Sequence, residues 1–556
     1  MGLPLRSIEN HEEKKHNRRW KMQNFKELAV FLECSTNSTP KMNTLKKYID
    51  LVSSFGYTHM YLGLTDAYKM EGEPYFNFCR GGYTVEQLQE IDAYAEMKGI
   101  ELRVNIQALG HLHYLRRHAC YDALFDTWDS LMVGKEEVYE FIDKMLGTMS
   151  RAVKSRIIHI GMDEIFDLGL GRYLNEHEYA DRRTLFMQHL ERVMELARKY
   201  DYTCEIWADM LFYMAKGSYF GHDDAVVPQD LRECIPEGVR IVHWNYGKQN
   251  KDVFAGQLKM LQVIGGDISF AGAASKSFGL APDNRNSIDT IEHQMKICKE
   301  VGVQRYIVTI WSDAGAHCSN FAVLPTLFAA AEMARGVDRM DIDKDRFKQL
   351  VGADYDDFLL LDRLNHPRDK EFTGGNTRCY WGFYSDMFLG SYDMLLDPTS
   401  NEAYADLAME YATVKSGEYQ MMFDNYTLYS KVLSRKMNLG VQIREAYRQK
   451  DRQLLEQYAN VEIPKMIEDM RNFTEHYDKW WLSENMAFGL EVHHLYNGGQ
   501  IERWKYVAKQ ILHHLETGEL IEELERDYLP PSAIDPLTEE NCFELDKRKL
   551  ISNCGI

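Results

Sequence analysis

The chain has 556 residues, 45% of them hydrophobic and 12% aromatic, and a net charge of −20. That length buries a large core and predicts about two to four domains. The acidic balance argues against nucleic acid or an anionic membrane as partner, since either calls for clustered Lys and Arg. The first 24 residues are polar and basic without the apolar centre of a signal peptide, and no run of about 18 apolar residues occurs, so the sequence reads as cytoplasmic. Ten cysteines are scattered singly with no CxxC spacing and no His-Cys cluster, which predicts reduced thiols, no metal and no cofactor.

After that N-terminal extension, residues 25–340 alternate short β-branched or apolar runs with segments of helical period, the pattern of βα units around a parallel sheet. Eight runs are predicted as strands, at 28–36, 58–68, 102–112, 156–164, 203–211, 240–247, 267–275 and 305–313. Between them lie amphipathic stretches such as TLKKYIDLVSSFGY and RRTLFMQHLERVMELARKY. Eight units predict an α/β fold, a TIM (β/α)8 barrel. From 341 to 556 the strand pattern gives way to charged, helical-period sequence, which predicts an α-helical C-terminal domain. Its aromatic stretches, Tyr380 to Tyr384 and the segment around Trp480 and Trp481, are expected to pack as core.

In such a barrel the C-terminal ends of the strands build the active site. There the sequence places Glu33 and Thr36, Asp66, Gln107 and His111, then Asp163 and Glu164. The later ends carry Trp207 with Asp209, Trp244 with Tyr246, and Trp311 with Asp313. Three tryptophans at equivalent strand ends, each followed two residues later by Asp or Tyr, suit a sugar, whose C–H faces stack on rings while carboxylates accept its hydroxyl protons. Adjacent acids such as Asp163 and Glu164 repel, and such a pair tends to split into one group that ionises easily and one that holds its proton. The seventh strand offers no acid near its end, so the second carboxylate of a conventional glycosidase is missing there.

The pattern His-x-Gly-x-Asp-Glu, filled by His159, Gly161, Asp163 and Glu164, resembles the signature of glycoside hydrolase family 20, the β-N-acetylhexosaminidases. The resemblance runs along most of the chain and is closest to compact members with a barrel followed directly by helices. It implies an exo-acting, retaining enzyme that releases terminal β-linked GalNAc or GlcNAc from a glycan or glycoside through an oxazolinium intermediate. By the same resemblance Glu164 is the general acid, Asp163 receives the acetamido N–H, and Tyr246 donates to the acetamido oxygen. Trp207, Trp244 and Trp311 would enclose the sugar, Asp313 would bind its distal hydroxyls, and His111 would support the carboxylate pair. Glu33, Asp66 and Asp209 complete the expected substrate-binding set.

Two departures from the family pattern stand out. The first strand reads LECST, with Glu33 in place of an Asp and Thr36 where an arginine would grip O3 and O4 of the terminal sugar. Threonine cannot replace a planar bidentate guanidinium, so recognition of these hydroxyls is expected to differ, with GalNAc selectivity as one outcome. The seventh strand lacks tryptophans around Ser275 and Ser277, leaving Lys276 and Arg285 as candidate donors. Two other readings fit parts of the pattern: an enolase-like barrel holding magnesium on Asp163 or Glu164 with Asp209, and a non-catalytic sugar-binding barrel. A homodimer in which a partner completes the site is a further arrangement the sequence permits.

Overall fold

The computed structural model describes residues 25–216, 233–265, 268–277, 279–313, 315–368 and 378–528. The expected N-terminal extension, 1–24, lies outside the described residues. Eight parallel strands close into a barrel in chain order: β1 (Glu27–Glu33), β2 (His59–Gly63), β3 (Glu101–Asn105), β4 (Ile157–His159), β5 (Thr203–Trp207), β6 (Arg240–Trp244), β7 (Ser269–Ala273) and β8 (Arg305–Ile310). Pairing of β1 with β8, from Glu27 opposite Arg305 to Leu32 opposite Ile310, closes the ring.

All eight predicted runs overlap a strand, but the strands stop short of the predicted ends. The fourth run was expected to continue to residue 164, whereas β4 has three residues and ends at His159. Apolar residues such as Ile160, Met162 and Ile165 continue the pattern past the last ladder bond because the loop itself is buried.

Alternation along the strands divides the core in two. Ala29, Phe31, Tyr61, Trp207, Val242, Ala271 and Ile307 point into the barrel and fill it, with Trp244 and Trp311 packed against this plug from above. Leu28, Val30 and Leu32, the alternate positions of β1, join the larger core under the helices. At the N-terminal mouth, Arg103 donates to Glu27 Oε2 and to the Tyr61 hydroxyl, both at 2.8 Å, and Tyr61 donates to the buried Glu205 at 2.7 Å. This network seals the end of the barrel opposite the strand termini where function is expected.

Numbering the principal helices only, one follows each strand: α1 (Met42–Phe55), α2 (Val85–Met97), α3 (Glu136–Ala152), α4 (Arg182–Arg198), α5 (Asp209–Lys216), α6 (Lys251–Gly265), α7 (Asn284–Val301) and α8 (Leu324–Ala334). Local chemistry fixes their ends. Thr84 and Gln87 form a reciprocal capping box at the start of α2, and Gly56 closes α1 at φ 103°, a left-handed conformation that glycine adopts freely.

Beyond residue 340 the described chain is helical, with α9 (Ser400–Tyr411), α10 (Gln420–Lys436), α11 (Leu439–Gln449), α12 (Ile463–Glu484) and α13 (Leu490–Thr517) as its main elements. Tyr380, Trp381, Phe383, Tyr384, Trp480 and Trp481 are all buried, as expected for core aromatics. The seam with the barrel is polar as well as apolar. Glu484 accepts from Ser319 Oγ and from Trp480 Nε1 at 2.7 Å each, Met486 N donates to Thr39 O at 2.8 Å, and Asp362 accepts from Asn284 N at 3.0 Å.

Candidate functional site

The loop after β4 carries the carboxylate pair and is bent by unusual backbone. Gly161 has φ 70°, Met162 68° and Glu164 57°. For the two non-glycine residues that conformation costs roughly 1 kcal/mol or more each, and such strain concentrates where side chains must be aimed. A Cβ on Gly161 would lie 1.8 Å from Gln107 Oε1, so any larger residue must displace that amide as well as adopt the left-handed backbone that glycine adopts freely. His159 fastens the turn from below: its Nδ1 accepts the Gly161 N–H at 3.1 Å, which leaves the ring proton on Nε2. Burial drives the His159 pKa down to about 3, so this histidine is neutral.

The loop presents its two acids differently. Asp163 is half-buried and Glu164 is exposed to the cleft. Asp163 Oδ1 is buried and has no hydrogen-bond partner, an arrangement that costs free energy unless a donor reaches it. His111, itself at φ 55°, stands between the pair, with Nε2 3.3 Å from Asp163 Oδ2 and 3.6 Å from Glu164 Oε2. Burial opposes the charged imidazole, but the charges of Asp163, Glu164 and Asp129 prevail and hold the His111 pKa well above its ordinary value.

Asp129, missed in the sequence, anchors this histidine by accepting its backbone N–H at 2.8 Å, and it also binds His113 Nδ1 at 2.9 Å. Against the opposing effect of burial, the His113 hydrogen bond and the His111 charge hold the Asp129 carboxyl down at about 2. Nothing in sequence spacing marks Asp129, because its partners lie 16 and 18 residues away in a loop.

Asp209 sits at the start of α5 and is buried. Its Oδ2 accepts the Glu164 backbone N–H at 2.9 Å and its Oδ1 accepts Trp244 Nε1 at 3.4 Å. Burial and the neighbouring Asp163 charge push its carboxyl pKa up strongly. The structure therefore engages Asp209 with protein groups on both oxygens, holding the backbone of Glu164 and the ring of Trp244.

The three tryptophans form a graded wall. Trp207 is fully buried, 4.3 Å from the His159 ring and 5.9 Å from Trp311 by ring centroids. Trp244 and Trp311 are half-buried at the cleft, and Tyr246 stacks on Trp244 at 5.1 Å with 21° between planes. Trp311 Nε1 donates to the Tyr246 hydroxyl oxygen at 2.8 Å, and the same hydroxyl hydrogen-bonds Thr309.

Across the cleft a second polar cluster joins β1, β2, β7 and β8. Glu33 accepts from Ser312 N at 2.7 Å and from Thr36 Oγ1, so Thr36 serves the carboxylate rather than the cleft. Burial and the nearby Asp313 charge push Glu33 upward. Asp313 stays open to solvent while Lys276, buried, donates to Ser312 Oγ at 2.8 Å.

Asp66 is buried in a bidentate pair with Arg80, at 2.5 and 3.1 Å. Arg80 also donates to Ser35 O at 2.6 Å and lies 3.9 Å from the Tyr114 ring centroid. The arginine missing from β1 is thus supplied to the same corner by the β2 loop, from a position 14 residues past Asp66 that no motif marks. Arg285 goes elsewhere: it donates to Leu359 O and lies 3.6 Å from Asp362, in the seam with the C-terminal helices. Among the described residues no group of three or more His, Cys, Asp or Glu is arranged to hold a metal ion.

Comparison with known proteins agrees with this geometry. The family described as "Glycosyl hydrolase family 20, catalytic domain" matches residues 38–256, and "Glycoside Hydrolase 20C C-terminal domain" matches residues 356–542. The chain is similar to Hexosaminidase D of Bos taurus, 24% identical over 266 residues, covering 46% of this chain and 73% of the relative. Hexosaminidase D of Homo sapiens is 22% identical, over 37% of this chain and 42% of its own length.

Among solved structures, an exo β-N-acetylglucosaminidase from Vibrio harveyi superposes with TM-score 0.46 at 14% identity, covering 61% of this chain and 58% of that one. A mutant Streptomyces plicatus β-hexosaminidase gives 0.43 at 17%, covering 59% and 69%. With one family match lying over the barrel that carries Asp163 and Glu164 and the other over the helices behind it, the chain is a glycoside hydrolase and belongs to glycoside hydrolase family 20.

Proposed function

We propose that this protein is an exo-acting, retaining β-N-acetylhexosaminidase whose nucleophile is the substrate's own 2-acetamido oxygen. Most glycosidases use two carboxylates in turn, and family 20 departs from that scheme by substrate assistance. The observation that carries the reading is Asp163 Oδ1, a buried acceptor with no partner in the protein. An acetamido N–H satisfies it, and this contact turns the acetamido oxygen toward the anomeric carbon. The Tyr246 hydroxyl, oriented by the Trp311 N–H, turns its proton from Thr309 to that oxygen, while Trp207, Trp244 and Trp311 exclude water from the methyl group.

Glu164, exposed to the cleft with its backbone held by Asp209, gives its proton to the glycosidic oxygen. It then takes a proton from water as the oxazolinium ring opens. His111 positions both carboxylates and offsets their mutual repulsion. No carboxylate occurs in β7 or in the four residues after it, which leaves that strand without the usual second acid and fits substrate assistance.

The far wall, with Glu33, Asp66, Asp313 and Arg80, would hold O3, O4 and O6 and discriminate GalNAc from GlcNAc. The described cysteines are all free, which supports a reducing, cytoplasmic setting, and no described helix is long and apolar enough to cross a membrane.

The test is release of p-nitrophenol from its β-GlcNAc and β-GalNAc glycosides, with the product anomer read by NMR and a thiazoline mimic of the oxazoline as inhibitor. Turnover with the β-anomer formed first and competitive inhibition by the mimic are expected. First formation of the α-anomer, or turnover insensitive to the mimic, refutes substrate assistance.

A further inference from the structure

One exposed aromatic side chain adjoins the loop that supports the carboxylate pair. Trp128 is 67% exposed, although tryptophan gains more from burial than almost any residue. The turn that displays it is rigidly built. Asp126 N donates to Ser130 O at 2.9 Å, Thr127 Oγ1 accepts from Ser130 N at 3.2 Å, and Arg116 Nη1 donates to Thr127 O at 2.7 Å. The indole is therefore held out in water by a turn with its backbone bonds satisfied, rather than left there by slack chain.

Its neighbours tie it to the chemistry. The next residue, Asp129, is the anchor of His111, which touches both Asp163 and Glu164. His113, bound to the same Asp129, lies nearly parallel to the indole at 6.4 Å and 20°, and the Arg116 guanidinium lies 5.3 Å from the indole centroid. An exposed ring with polar donors beside it, on a rigid turn, is the surface that the C–H face and hydroxyls of a pyranose recognise.

We propose that Trp128 is the platform for the sugar on the leaving-group side of the cleaved bond, with His113 and Arg116 as donors to its hydroxyls. The loop holding Trp128 borders the same Glu164 that faces the leaving group, so the reducing-side residue of a glycan substrate passes over it. The proposal rests on the hexosaminidase reading and adds a second subsite to it: the natural substrate carries a sugar, rather than a small aglycone, beyond the scissile oxygen.

The test compares kcat/KM on a β-linked disaccharide ending in GalNAc or GlcNAc with kcat/KM on the methyl β-glycoside of the same sugar, in wild type, Trp128→Ala and Trp128→Tyr. In Trp128→Ala the ratio of disaccharide to methyl glycoside should fall about two- to tenfold. The fall should lie mainly in KM for the disaccharide, and Trp128→Tyr should recover most of it. A ratio unchanged from wild type overturns the proposal, whether both substrates suffer equally or neither does. Wild type cleaving neither substrate refutes the underlying hexosaminidase reading, and the platform with it, and is distinct from a wild type that cleaves both with a ratio indifferent to Trp128.

Discussion

At the scale of single residues, the site is organised by one charged histidine and one buried acid. His111 is held as an imidazolium by Asp163, Glu164 and Asp129. A histidine whose folded pKa exceeds its unfolded value of about 6.5 contributes stability that is complete below that value. The contribution is lost as pH rises through the folded pKa. The stability gap between wild type and His111→Gln, from urea melts at intervals between pH 6 and 9, should therefore shrink as pH rises. A gap that stays constant or widens would show that His111 is not charged there. The sequence made His111 legible through its place after the third strand, but not Asp129 or Arg80, whose contacts depend on how two loops fold back. It also suggested substrate contact for Asp209, whereas the geometry gives its oxygens to Glu164 N and Trp244 Nε1.

At the scale of elements, the decisive piece is the short β4 and the bend after it. Three ladder residues are followed by left-handed backbone at Gly161, which glycine adopts without strain and where a Cβ would press on the Gln107 amide. Gly161→Ala should cost about 1–3 kcal/mol in a denaturant melt and lower kcat/KM through displacement of Asp163. A variant with unchanged stability and activity would mean the bend is not constrained. Strand existence was readable from β-branched runs, since each buried strand needs them. Strand ends were not, because Ile160, Met162 and Ile165 are as buried in the loop as residues of the ladder are in the sheet.

At the scale of the whole molecule, barrel and helices share a seam whose bonds reach the site's own loops. Ser319, six residues after Asp313, donates to Glu484 of α12, and burial raises that carboxyl to about 7. Thr39, shortly after Glu33, accepts from Met486 N, and the start of α7 is capped by Asp362. With so many groups satisfied only across the seam, the two regions should unfold together. Calorimetry of the full chain should show a single cooperative transition, and two resolved transitions would contradict the coupling. Composition and helical period announced the C-terminal helices, while the seam was invisible because the partners named here lie from 77 to more than 400 residues apart.

The proposed division of the reaction between two adjacent acids, one serving the leaving group and one the acetamido group, is resolved by leaving-group dependence. Rates for Glu164→Gln and Asp163→Asn should be measured on β-N-acetylhexosaminides with a good leaving group, dinitrophenol, and a poor one, a sugar. Glu164→Gln is predicted to lose a factor of about 10²–10⁴ on the poor leaving group and far less on the good one. Asp163→Asn is predicted to lose rate on both. Equal losses for Glu164→Gln on the two substrates, or an Asp163→Asn variant as active as wild type, would contradict the division.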